Sequence, residues 1–250
     1  MQNSFQQTPS FSRLYVLPTL LACLLFYLFY VQHLDFAVAH WLYALEGQQW
    51  ALTNHWWFKG VMHDDLRRVN NAALLALCGF WLITLVRETA ASPRFKALSR
   101  LLVSLVLSYA IVAIVKRLLP AECPWDLLQF GGNKFFVSVF EHRPSGWHAT
   151  QCFPAGHAGI GFAWLALYYY WADMCPARAK WGAWIGFVLG VVLGLGQQIR
   201  GAHFVSHDVT TAWICWSVAT LVYFVGVNRA ARFDASCMSN RGEQQPLWQK

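Results

Sequence analysis

Cys152-Phe153-Pro154-Ala155-Gly156-His157-Ala158-Gly159 opens a long apolar run over residues 160–171. Pro154 fixes its own φ, biases Phe153 towards an extended backbone and is tolerated in the first turn of a helix. Gly156 lacks a Cβ and lets the backbone approach a ligand closely. The pattern predicts a helix that starts here and carries His157 near its N-terminus, where free N–H groups and the helix dipole favour an anion. Taken alone, the octet is a helix start with an incidental histidine. Its company changes that reading. Lys116-Arg117 stand before it, and Arg200, His203, His207 and Asp208 after it, all at ends of apolar segments.

The rest of the chain has the same character. Of its residues 57% are hydrophobic and only 12% charged, and the apolar ones come in long runs. So much apolar surface does not suit a soluble domain of this size and predicts an all-α, polytopic membrane protein. The net charge of +7 then reads as a topology signal rather than a nucleic-acid one, and no aromatic-interleaved basic patch supports nucleic-acid binding. The seven cysteines form no CxxC and no Cys/His zinc spacing.

Six spans are expected, at about residues 14–31, 72–86, 101–115, 158–170, 184–195 and 209–225. The first is long for a signal-peptide core, lacks a clear cleavage site and is read as a retained span. Residues 32–71 interleave Trp41, Trp50, Trp56 and Trp57 with polar residues, as an interfacial segment does. His63-Asp64-Asp65 is the one polar cluster there able to hold a metal, but no second cluster at ligand spacing lies near it. Residues 117–156 form a long outer loop, a length that is usually functional. Gly186, Gly190, Gly194 and Gly196 allow close helix approach in the fifth span. Ser206 is an expected N-cap for the sixth. One membrane domain over 1–228 and a flexible tail over 229–250 complete the reading.

Arg13, the basic connection over 87–100, Arg178 and Lys180, and the tail fall on one side of a six-span layout. The positive-inside rule makes that side, with both termini, cytoplasmic. Lys116, His157, Arg200, His203, His207 and Asp208 then share the outer face. Ionisable groups at the membrane boundary default to function. Lysine, arginine and a helix N-terminus suit a phosphate, and two histidines suit a nucleophile and an acid.

These residues resemble the type 2 phosphatidic acid phosphatase superfamily, related to vanadium haloperoxidases and bacterial acid phosphatases. Its motifs are Lys-x6-Arg-Pro, Pro-Ser-Gly-His and Ser-Arg-x5-His-x3-Asp. Lys116 with Cys123-Pro124 matches the first, with cysteine for arginine. Pro154-Ala155-Gly156-His157 matches the second, with alanine for serine. The third is recognisable around His203, but Gly196-Gln197 stand for Ser-Arg, His207 stands at the acid's position, and Asp208 follows one residue later. The resemblance implies that His203 attacks phosphorus and that Asp208, or else His207, orients it. It implies that His157 protonates the leaving oxygen and then activates water. Lys116, Arg200 and the backbone at Gly156 would hold the phosphate, with Arg117 or Arg143 as alternatives to Arg200. No metal or cofactor is required by this scheme.

The expected activity is hydrolysis of a lipid phosphate or diphosphate at the outer face of a bacterial inner membrane. Undecaprenyl diphosphate, phosphatidylglycerophosphate, phosphatidic acid and lipid A phosphates all fit as substrates. Trp125, Phe130, Phe135, Phe136 and Trp147 are expected to hold the lipid near the interface. A lipid phosphotransferase of the same family, a metal-dependent hydrolase using His157, His203 and His207, and a haem-binding or transport protein are the alternatives. A disulfide between Cys123 and Cys152, both in the outer loop, is a further expectation, against two free thiols.

Overall fold

The computed structural model describes residues 10–119, 121–142 and 150–242, with side chains as far as Val227. Among them the regular structure is all helical, with two isolated bridges in the outer loop. The helices are α1 (Phe11–Phe26), α2 (Leu34–Leu45), α3 (Leu66–Arg87), α4 (Pro93–Leu118), α5 (Gly156–Phe162), α6 (Leu167–Met174), α7 (Ala179–Ile199) and α8 (Val205–Gly242). Short π-helices follow α1 (Tyr27–Val31) and precede α3 (Trp56–Asp65). Five segments are long and apolar enough to cross a membrane. The expected fourth span is a chain of α5, a 3-10 turn over Ala163–Ala166, and α6.

Several boundaries differ from the hydropathy reading. The second span begins much earlier, because the π-helix over Trp56–Asp65 runs straight into α3. Arg67 and Arg68 are good helix formers, and Arg68 pairs with Asp65 one turn back at 2.8 Å. Polarity there marks an exposed face and not a helix end. The last helix likewise runs past residue 225 to Gly242.

The core lies where α4, α5, α6 and α8 meet. Helix α4 is started by Ser92, whose Oγ accepts the Phe95 N–H at 3.1 Å, with Pro93 in the first turn. Its buried residues Ala97, Leu101, Leu105, Ser108 and Val112 recur at helical spacing and make one stripe. That stripe packs beside Ala158, Phe162, Ala166 and Ala219. Lys116 and Arg117 occupy the last turn, where the carbonyl end of the dipole favours cations.

The α7 glycines act as predicted. A Cβ on Gly186 would overlap the backbone of Trp164 and Leu165, and one on Gly190 would enter the Phe162 ring. Backbone therefore lies directly on backbone between α7 and the broken fourth span. Gly186→Leu is expected to destabilise the protein by about 3 kcal/mol or more, because its neighbours are main chain and cannot yield. Val188→Leu, on the exposed face of the same helix, is the control. Thermal unfolding of both in detergent checks this.

Ties between its two ends hold the described part of the outer loop. The structure joins Cys123 to Cys152 with their Cα atoms 5.3 Å apart, as expected. Ala121 N–H donates to the Thr150 carbonyl at 3.0 Å, and Cys152 N–H returns to Ala121 at 3.1 Å. Asp126 accepts from Thr150 Oγ1 at 2.6 Å. Phe130 departs from expectation. It is buried with Leu127, Ala39 and Phe204 in a small second core under α2, so it anchors the loop and does not face lipid. Phe135 and Phe136 are exposed, and Trp147 lies outside the described residues.

Candidate active site

Four helix ends meet at one level: the last turn of α4, the first of α5, the end of α7 and the start of α8. Ala155 N–H donates to the His207 carbonyl at 3.3 Å, and Thr211 Oγ1 lies 3.1 Å from the Ala155 carbonyl. These bonds lock the start of α5 to the first turn of α8. Gly156 faces Lys116: a Cβ there would lie 3.5 Å from the Lys116 ammonium. His157 sits in the first turn of α5 and is buried.

His203 lies in the tight connection between α7 and α8. Gly201 turns the chain with φ of 71°, a left-handed conformation that glycine adopts without strain, and Trp50 packs against the space a side chain would need. The His203 Nδ1 is 3.4 Å from the His207 Nδ1, and both rings are buried. The Phe153 ring meets His207 edge-on at 5.2 Å.

The local field is positive. Burial pushes the His203 pKa well below its usual value, and the neighbouring Lys116 charge pushes it further the same way. The His203 imidazole is therefore neutral at pH 7. A site that resists added positive charge in this way is arranged for an anion.

Arg200 comes to the same place. Its Nη1 donates to Gln197 Oε1 at 3.0 Å and its Nε to the Thr53 carbonyl at 2.8 Å. Gln197 stands where the motif has arginine, so the residue at that position now holds the guanidinium supplied one turn later.

Asp208 corrects the sequence expectation. Its Oδ2 accepts from Gln198 Nε2 at 2.6 Å and its carboxylate packs on Gly194, so its hydrogen bond does not go to His203. Consecutive helical residues point about 100° apart. With α8 starting at Val205, the face towards His203 belongs to His207. Ser206 does not precede that helix but lies inside its first turn. Arg117 is exposed at the end of α4, and Arg143 lies outside the described residues.

Two groups of residues escaped the sequence reading. One is segment 50–65. Its Met62 carbonyl accepts from His157 Nε2 at 2.9 Å, and the His63 ring stacks on His157 with centroids 4.4 Å apart. Met62 also packs against Gly196. His63, whose Nδ1 is 2.9 Å from Asp64 Oδ1, thus faces the site. The other is Asp35 on α2, whose Oδ1 accepts the Ser206 N–H at 3.0 Å. Its one sequence signal is an acid in an apolar helix. Among the described residues no three His, Cys, Asp or Glu side chains are grouped to hold a metal ion.

No curated protein and no solved structure matches the chain. One family model, described as the PAP2 superfamily, matches residues 97–230. That segment is just over half of the chain and runs from the second turn of α4 into α8, so it contains Lys116, Gly156, His157, Arg200, His203 and His207. With the match covering every one of these helix ends, the chain belongs to the PAP2 superfamily, a membership that supports phosphatase activity on phosphate esters.

Proposed function

We propose that the protein hydrolyses a lipid phosphate or diphosphate monoester through a phosphohistidine on His203. The observation that carries this reading is the meeting of the buried Arg200, His157 and His203 with the partly buried Lys116 in one site where burial and the Lys116 charge hold His203 neutral. With Nδ1 of His203 turned to His207, its Nε2 is the nitrogen left for attack. The N–P bond forms as the P–O bond to the lipid breaks; His157, protonated on meeting the anionic substrate, donates that proton to the departing oxygen and is left neutral. The same ring then takes a proton from water, whose oxygen attacks phosphorus and frees His203 and inorganic phosphate. Lys116, Arg200 and the backbone at Gly156 stabilise charge on the phosphoryl oxygens.

The membrane supplies the substrate class. The site lies at one end of long apolar helices, opposite Arg87, Arg94, Arg178 and Lys180. The disulfide in the loop beside it fits an oxidising compartment. We place the site on the periplasmic face of a bacterial inner membrane, with both termini cytoplasmic.

The test is phosphate release by purified protein in EDTA from undecaprenyl diphosphate, phosphatidylglycerophosphate, phosphatidic acid and lipid A. Release from one of them is expected. A folded protein that releases none, but moves phosphate to an added acceptor lipid, would be a phosphotransferase instead.

A further inference from the structure

We infer that Asp35 is the positioning acid of this site, a carboxylate on α2 that holds the His203–His207 segment in its working geometry. This rests on the proposed phosphohistidine chemistry. It adds a residue that lies outside the segment 97–230 matched by the family.

Helix α8 needs a cap that its own sequence does not provide. The residue before its first turn is Phe204, which has no polar side chain and is buried in the second core. The free N–H groups at that helix start must find an acceptor elsewhere. Asp35 provides it: Oδ1 accepts the Ser206 N–H at 3.0 Å, and the Val205 N–H faces the same carboxylate. Ser206 lies between the two histidines in sequence, so the bond fixes the one turn that sets His207 against His203.

Among the described residues, no other acid is seen to accept from the first turn of α8. Asp208 is engaged with Gln198. Asp35 also shares a cavity of about 10 Å³ with His203, Gln198, Phe204 and Val205, room for about one water. Asp35 is only 4% exposed, and an ionisable group is not buried this deeply without a partner that repays it.

The experiment compares Asp35→Asn, Asp35→Glu and Asp35→Leu with the wild type, reading kcat, KM, phosphoenzyme formed in a rapid quench, and thermal unfolding. Asn presents an equivalent acceptor oxygen and caps helices as well as Asp. It is expected to keep kcat within about threefold. Asp35→Leu is expected to lose about 30-fold or more in kcat and in the rate of phosphoenzyme formation, with KM within about twofold. Asp35→Glu keeps the charge but moves the oxygens by a methylene, and about a tenfold loss in kcat is expected while the protein stays folded. The inference is overturned if folded Asp35→Leu and Asp35→Glu both turn over at the wild-type rate. It is equally overturned if Asn rescues stability but not kcat, because the carboxylate's charge would then matter and not its hold on α8. Failure of the wild type to release phosphate would instead count against the proposed function.

Discussion

His203→Ala is expected to lower lipid-phosphate hydrolysis by about a thousandfold or more, because it removes the atom that bonds to phosphorus. Its surroundings favour a neutral, attacking ring. Burial and the Lys116 charge hold the imidazole unprotonated, and the Nδ1 contact with His207 fixes which nitrogen is free. His207 is a poorer nucleophile in this geometry. It is only 2% exposed and is enclosed by the edges and faces of Phe153 and Phe204. Rapid-quench trapping with labelled substrate checks the assignment. The wild type accumulates an acid-labile phosphoenzyme and His203→Ala forms none. Labelling that persists in a folded His203→Ala protein would move the nucleophile to His207.

Lys116→Met is expected to cost about 100- to 1,000-fold in kcat/KM, the range for removing one preorganised donor from developing charge, about 2.7–4 kcal/mol. Lys116→Arg is not expected to restore it. The ammonium faces Gly156 as a compact point charge, and a planar guanidinium presents its donors in a different geometry. The pH profile gives a second reading of the same variant. Lys116 helps to depress the His203 pKa, so its loss lets that pKa rise towards the ordinary histidine value. His203 must be neutral to attack. The acid limb of kcat/KM therefore moves to higher pH in Lys116→Met. An unmoved limb would mean that Lys116 does not act on His203.

Long apolar runs made the membrane class and most of the spans legible, because a helix that crosses lipid must be apolar along its length. The spacing of Lys116, His157 and His203 along the chain made the site's outline legible as well. The assignments that failed did so for identifiable reasons. Asp208 stands one residue beyond the position of the motif's acid, and one residue on a helix is about 100° of rotation. Only the observed start of α8 at Val205 decides which side chain faces His203. Phe130 has the composition of a lipid-facing aromatic, yet α2 folds over it. Asp35 reaches Ser206 across 171 residues, and Arg200 reaches the Thr53 carbonyl across 147. Contacts over such separations leave no periodic trace in either segment.

Segment 50–65 makes the protein its own competitor. The carbonyls of Met62 and Thr53 occupy donors of His157 and Arg200 that a phosphoryl group also needs. A ligand gains only the difference between its own contacts and the ones it displaces, and its apparent affinity is scaled by the fraction of molecules in which the segment has withdrawn. A neutral ester or a hydroxyl, no better an acceptor than a peptide carbonyl, has little to offer in that exchange. A phosphate dianion, drawn by two cations at once, has much more. The segment thus sets a charge threshold for entry, and it does so before any chemistry begins.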